Sequence, residues 1–306
     1  MNKPNFLIVG ATKSGTTSIY NYLQQHSNIF LNKEVKESNF FVEPKSVLGC
    51  GPRFCGEQSY GKTIKDYEML FEEVDISQHK AVGEVCTTYV HFSENSIQNI
   101  KKYLEDPKII VILRNPIERA YSYYMHNIRD GDETLSFEDA LDKEDKRIKE
   151  NLWLSFRLKT LGLYSKHIEN YQNSFSNVKV IIYDDMKNNM QKTMDDIFNF
   201  LEIDSLNIDT KEKYNISGVP KNRVLHNLIH GNSLFGKLLI RIIKKNFGLK
   251  ELRKYKNYID KNNLVKGKMK ESTRKELEKY FYNDVKKLSG LLNIDLNQKW
   301  KIGEKK

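Results

Sequence analysis

Phe6-Leu-Ile-Val-Gly-Ala-Thr-Lys-Ser-Gly-Thr-Thr-Ser18 is the stretch from which the fold can be read. The apolar run Phe6–Val9 reads as a strand buried on both faces, since a strand covered by helices on each side is apolar at every position. Gly10 and Gly15 let the backbone turn back so that its N–H groups converge on an anion. Thr16 and Thr17 then open a helix predicted to reach Gln25, whose N-terminal dipole adds to the same positive potential. The same residues could form a Gly/Ser/Thr turn with no ligand, but strand, loop and helix start in the right order favour a phosphate cradle.

The loop departs from the nucleoside-triphosphate pattern GxxxxGK[ST], which puts a lysine directly after the second glycine, where this chain has Thr16. Lys13 instead precedes that glycine and approaches an anion from within the loop, near a bridging oxygen. A second segment, Lys108 to Gly131, begins with the strand Ile109–Leu113 and has Arg114 at its C-terminal edge, where open α/β sheets bind ligands. A basic residue there, in place of a magnesium-holding aspartate, suits a metal-free anion site. Pro116 fits a first helical turn, and Ser122 falls about one to two turns further on. Arg114 and Ser122 read either as a clamp for a second phosphate or as an Arg114–Glu118 pair beside a packed serine.

Together the two segments resemble the 3′-phosphoadenosine 5′-phosphosulfate (PAPS)-dependent sulfotransferases. Lys13-Ser-Gly-Thr-Thr17 is similar to that family's 5′-phosphosulfate loop, and Arg114-Asn-Pro-Ile-Glu-Arg-Ala-Tyr-Ser122 to its 3′-phosphate motif. The resemblance implies that Lys13, Ser14, Gly15, Thr16 and Thr17 hold the phosphosulfate, and Arg114 and Ser122 the ribose phosphate. It extends through Leu277-Glu-Lys-Tyr-Phe-Tyr-Asn-Asp-Val285 to Trp300, and lies nearest to bacterial relatives of the heparan-sulfate and carbohydrate branch.

Sulfuryl transfer needs an acceptor freed of its proton and a cation to take up charge on the leaving phosphate. Lys36-Glu-Ser-Asn-Phe-Phe41 resembles the Glu-x-His/Gln-Phe-Phe stretch of that branch, which implies Glu37 as general base, with Lys13 as the cation. Asn39 replaces the histidine or glutamine. Read without its neighbours, the segment is a solvated Lys–Glu pair before an aromatic core plug, Phe40 and Phe41. Gly83-Glu-Val-Cys-Thr-Thr-Tyr89 resembles the acceptor-cleft segment, with Val85 where some members carry lysine. Glu84 therefore competes with Glu37 as base, Tyr89 is read as shaping the pocket, and His91 as an accessible imidazole able to move protons; a structural strand-to-turn role is the alternative. Tyr214-Asn-Ile-Ser-Gly-Val-Pro-Lys-Asn-Arg223 resembles the loop that closes over the nucleotide, which brings Lys221 and Arg223 to the donor, unless it is simply a basic surface loop.

Along the 306 residues, strands Phe6–Val9, Ile109–Leu113 and Val178–Tyr183 alternate with helices Thr16–Gln25, Ser93–Leu104, Ile117–Ile128, Ser136–Lys146 and Met190–Leu201. This predicts one α/β domain over residues 1–306: a central parallel sheet flanked by helices, like the P-loop NTPases, with a basic helical region from Val224. From Lys237 onward Lys and Arg exceed Asp and Glu by more than the whole chain's net +10, so the rest is nearly neutral. Such a tail fits a solvated helical face, a surface that steers polyanions, or a peripheral contact with an anionic membrane. It carries no nucleic-acid motif, and no nucleic-acid partner is expected. Cys50, Cys55 and Cys86 show no zinc pattern; Cys50 and Cys55 flank a Gly-Pro turn and could pair, although reduced thiols are expected. No stretch has the length of a signal-peptide core or a membrane helix, so a cytoplasmic enzyme is expected.

The sequence thus reads as a metal-free transferase moving a sulfuryl group from PAPS to a hydroxyl, or an amine, with carbohydrate as the leading acceptor class. A small polar natural product is the alternative acceptor. From other classes, a nucleotide kinase would need magnesium and a lysine at Thr16, and a non-catalytic nucleotide-binding module would not need the donor-site residues intact.

Overall fold

The computed structural model describes residues 3–42, 63–210 and 267–303, with the backbone of Val219–Pro220 and Leu264–Val265 and a few helical positions between 236 and 248. Its sheet has five strands, β1 (Phe6–Gly10), β2 (Ile29–Leu31), β3 (Ala81–Val85), β4 (Lys108–Leu113) and β5 (Val178–Ile182). All are parallel, in the order β2-β3-β1-β4-β5. β1 is central because both neighbours come later in the chain. The connection after β1 runs toward β2 and the one after β4 runs the opposite way to β5, and the crevice this creates beyond the C-terminal ends of β1 and β4 is where such sheets bind ligands.

The helices are α1 (Thr16–Leu23), α2 (Ile64–Met69), α3 (Ser93–Leu104), α4 (Pro116–Asp130), α5 (Phe137–Asp142), α6 (Glu144–Lys149), α7 (Ser165–Ser174), α8 (Tyr183–Asn188), α9 (Met190–Leu201), α10 (Glu271–Leu292) and α11 (Leu296–Trp300). They cover both sheet faces, which is why the central strands are continuously apolar. Phe6 and Ile8 of β1 and Ile110 and Ile112 of β4 point to the face covered by α1 and α9. Leu7, Val9, Ile109, Val111 and Leu113 point to the other, covered by α4, α7 and α10. Each of these strand residues is fully buried, and burial of one such side chain stabilises the fold by about 1.5–3 kcal/mol. Gly83 in β3 leaves room for the Phe6 ring, which a Cβ would meet at 2.2 Å. No helix among the described residues is long and apolar enough to cross a membrane.

The predicted parallel sheet is present, with helices Ser93–Leu104 and Met190–Leu201 at the predicted bounds. The predicted helix Ser136–Lys146 is two helices, α5 and α6, meeting at Lys143. The turn buries the Glu144 carboxylate, which accepts from the N–H groups of Lys159 (2.6 Å) and Thr160 (2.8 Å). Tyr183 opens α8 rather than ending β5, which brings its ring to the phosphate loop. The described part of the C-terminal region is mostly helical, as predicted, but includes the short strand Leu264–Val265, antiparallel to Val219–Pro220; α11 braces the sheet edge, where Asn115 donates to the Trp300 carbonyl (3.0 Å) and the Trp300 indole to Asp184 (3.0 Å).

Candidate active site

The loop between β1 and α1 is built on left-handed backbone at two residues, Lys13 (φ 66°) and Gly15 (φ 87°). Gly15 is sterically required. A Cβ there would lie 2.5 Å from Met186 Cε and 3.0 Å from the Tyr183 ring. The Ala11 N–H donates to the Ile112 carbonyl (2.8 Å), fixing the loop to β4. No side chain caps α1 at Gly15, so the first N–H groups of the helix face outward with their partial positive charge. Ser14 is fully buried, and its hydroxyl has no partner among the described residues. An orphaned buried hydroxyl next to the uncapped start of α1 fits an anion.

Arg114 follows β4 directly and meets this loop. Its Nη1 donates to the Lys13 carbonyl (3.1 Å), its guanidinium lies over the Tyr183 ring at 4.8 Å, and its own carbonyl accepts from the Tyr164 hydroxyl (3.1 Å). The alternative Arg114–Glu118 pair does not form: Glu118 pairs with Arg274 of α10, and Arg114 has no ion pair among the described residues. The fork is therefore fixed in place yet uncommitted to a carboxylate. α4 starts immediately after, with Pro116 in its first turn and Asn115 Oδ1 accepting from the Ile117 N–H (3.0 Å). Ser122 lies further along the same helix, buried.

Lys13 is pushed down to about pKa 7, first by burial, then by Arg129, with Arg114 and Lys36 adding and Asp130 opposing. Four cations thus surround one small volume, a potential that an anion would relieve. Arg129 is itself oriented by Asp130 (2.8 Å) and His126 (2.6 Å) near the C-terminal end of α4.

Glu37 sits across from the loop in a chain of polar contacts. Its Oε1 accepts from Lys36 Nζ (2.9 Å), which also reaches Thr17 Oγ1 (3.2 Å), and its Oε2 accepts from the Thr87 hydroxyl (3.0 Å). Thr12 Oγ1 donates in turn to Thr87 Oγ1 (3.3 Å). The predicted Lys–Glu pair exists, at 22% and 33% side-chain exposure, and is joined to the phosphate loop at Thr17. Phe40 and Phe41 form the expected plug, stacked on and edged against Tyr67.

The other acid–base candidates lie deeper. Glu84 is buried in β3, accepting from the Ser38 hydroxyl (2.5 Å) and N–H (3.3 Å), the Tyr89 hydroxyl (2.9 Å) and the Tyr67 hydroxyl (2.8 Å). Burial raises its pKa against these hydrogen bonds. Tyr89 is fully buried and spends its hydroxyl on this cluster, so it belongs to the core rather than to a pocket wall. His91, expected to be accessible, is buried in a 3₁₀ turn with neither ring nitrogen partnered among the described residues. Burial, with Arg119, His167 and Arg157 adding, holds its pKa well below the usual imidazole range. Asn39 is also internal, its Oδ1 accepting from Thr88 Oγ1 (2.6 Å) and Cys86 Sγ (3.2 Å). Lys221 and Arg223, with Cys50 and Cys55, lie outside the described residues.

The structure thus brings Lys13, Arg114 and Glu37 to one sheet edge and sends Glu84, Tyr89, His91 and Asn39 inward. Sequence reading gave no site role to Thr12, Thr87, Tyr183 and Arg129, and read Lys36 only as the partner of Glu37. Thr87 lay within a quoted segment but gave no periodic signal, and Tyr183 closed an apolar run that reads as strand.

A family model for the sulfotransferase domain matches residues 3–273. The bifunctional heparan sulfate N-deacetylase/N-sulfotransferase 1 of Xenopus laevis is 29% identical over 184 residues, 59% of this chain and 20% of that protein. Its human counterpart 3 is 27% identical over 205 residues, 65% and 22% of the two chains. The membrane-associated sulfotransferase kil1 of Dictyostelium discoideum is 30% identical over 127 residues, 41% and 23%. The chain therefore spans about a fifth of the length of these curated relatives. The crystal structure of a sulfotransferase from Alicyclobacillus acidocaldarius superimposes with a TM-score of 0.74 at 27% identity, covering 98% of this chain and all of that one.

Proposed function

We propose, from the premise that this chain belongs to the sulfotransferase domain family, that it transfers a sulfuryl group from PAPS to a hydroxyl or amine of a carbohydrate. The observation that carries the reading is the meeting of Arg114 with Lys13 across the sheet edge, beside a loop-linked Glu37. The loop N–H groups with Ser14, Thr16 and Thr17 receive the phosphosulfate, and Arg114 and Ser122 receive the 3′-phosphate. Lys221 and Arg223 would complete the nucleotide site.

In the transfer, Glu37 accepts the acceptor's proton while its oxygen or nitrogen forms the new bond to sulfur. The bond between sulfur and the bridging oxygen breaks, and Lys13 takes up the charge that develops on the departing 5′-phosphate. These residues supply the proton and charge movements of the step without a metal. Glu84 acts as the buried post that holds Ser38, and with it the neighbouring Glu37. Carbohydrate is the favoured acceptor because the curated relatives named above include heparan sulfate N-sulfotransferases, which also keeps the amine open.

The test is calorimetry without magnesium, comparing 3′-phosphoadenosine 5′-phosphate (PAP) with adenosine 5′-phosphate and ATP. Selective micromolar binding of PAP that Arg114→Ala weakens by about 10–10²-fold is the expected result. No binding, or a magnesium-dependent preference for ATP, refutes it. An acceptor screen with labelled donor on N-desulfated glycans then separates amine from hydroxyl sulfation.

A further inference from the structure

Lys36, like Arg129, is a cation of this site that the chemistry above leaves unused. Its ammonium lies between the phosphate loop and the base, 3.2 Å from Thr17 Oγ1 and 2.9 Å from Glu37 Oε1. The backbone around it is pinned on both sides. Asn32 Oδ1 accepts from the N–H groups of Glu34 (2.9 Å) and Val35 (2.7 Å), and Ser38 is tied to Glu84. Glu37 has a second anchor at Thr87 on Oε2, so loss of Lys36 from Oε1 would leave the carboxylate in place with one oxygen uncovered. β3, which passes beneath, ends in Glu84 and the buried Val85 and brings no positive charge of its own.

An ammonium on a four-carbon stem has three donors and can exchange partners by rotation alone. Two acceptors compete for this one. In the free protein the local carboxylate is Glu37; a phosphosulfate seated at the N-terminus of α1 would put more negative charge within reach of the same group. Lys36 also adds to the repulsion felt by Lys13, so the two ammonium groups converge on the same volume. We propose that Lys36 is a second donor-binding cation, held by Glu37 in the free protein and transferred to the donor's phosphosulfate in the complex, so that donor binding uncovers the base. The inference rests on the donor site proposed above. It makes the order of events a property of the site: Glu37 Oε1 becomes available to an acceptor proton only when the donor is present.

The test is a double-mutant cycle on PAP affinity, read by calorimetry on the full chain, which needs no acceptor. Glu37→Gln removes the competing charge and is expected to tighten PAP binding about fivefold, the scale of a partly shielded ion pair. Lys36→Met is expected to weaken binding about tenfold, the scale of one charge-assisted contact, and Lys36→Met/Glu37→Gln to bind like Lys36→Met alone. Lys36→Arg should retain the gain from Glu37→Gln, which separates loss of charge from misfolding. Wild-type affinity in Lys36→Met, or a Glu37→Gln gain that survives without Lys36, overturns the proposal. A folded wild-type protein that does not bind PAP overturns the donor site itself and this inference with it.

Discussion

On the proposed donor site, Lys13 should make donor binding a proton-coupled event. In the free protein burial and the neighbouring Arg129, Arg114 and Lys36 bring its pKa from 10.5 down to about 7, whereas a bound multivalent anion favours the ammonium and raises it again. Above about pH 7 the binding-competent form becomes scarcer by about tenfold per pH unit, so PAP affinity should fall about 10²-fold between pH 7 and 9. At pH 8 about nine-tenths of a proton should be taken up per PAP bound. The folding linkage has the opposite sign. With the folded pKa below the unfolded value, the free protein binds fewer protons than the unfolded chain between about 7 and 10.5, so this group adds stability as pH rises through that window. Phosphate protonation, with a pKa of about 6, weakens PAP only on the acidic side. Calorimetry in HEPES and Tris buffers, whose ionisation enthalpies differ, reads the proton uptake directly; Lys13→Met should abolish both the uptake and the alkaline slope. Affinity that is flat from pH 7 to 9, with no proton uptake, would refute the reasoning.

Arg114→Ala should weaken PAP by about 10–10²-fold, the scale of a charge-assisted pair of hydrogen bonds, while leaving adenosine 5′-phosphate affinity nearly unchanged; equal losses for both ligands would remove the 3′-phosphate assignment. Glu37→Gln, besides the roughly fivefold gain in PAP affinity expected above, should lower kcat by about 10²-fold or more, and undiminished turnover would transfer the proton to another group. Gly15→Ala should cost about 1–3 kcal/mol in chemical denaturation, because its Cβ meets Met186 and Tyr183 and φ is 87°, and should also impair PAP binding. An unchanged unfolding midpoint would show that the loop has room to move.

Much of the proposed donor site was legible because it is local. Strand, loop and helix start occupy thirteen consecutive residues, Phe6 to Ser18, and the Arg114 motif is likewise continuous. Apolar runs placed β1 and β4 because a parallel strand buried on both faces is apolar nearly throughout, and placed the edge strand β5 with one residue too many at its C-terminal end. β2, with three residues, was too short to register, and β3 carries Gly83 and Glu84 inside a buried strand. Glu84 is polar there because Tyr67, Tyr89 and Ser38 all reach it, which no local pattern announces.

The chain's order of residues by itself determined the anion loop, the basic strand end and the parallel sheet joining them, since each follows from local backbone preference and continuous hydrophobicity. Only the tertiary structure decided which carboxylate faces the loop. Glu37 and Thr87 are separated by 50 residues, and Lys13 and Arg114 by 101. Two glutamates of the same chemistry therefore diverge in role: strand β3 carries Glu84 into the core, where three hydroxyls and an N–H occupy it, while the Ser38 anchor leaves Glu37 beside Thr17. Burial and long-range contact, which depend on how the strands are stacked, separate the structural acid from the candidate base.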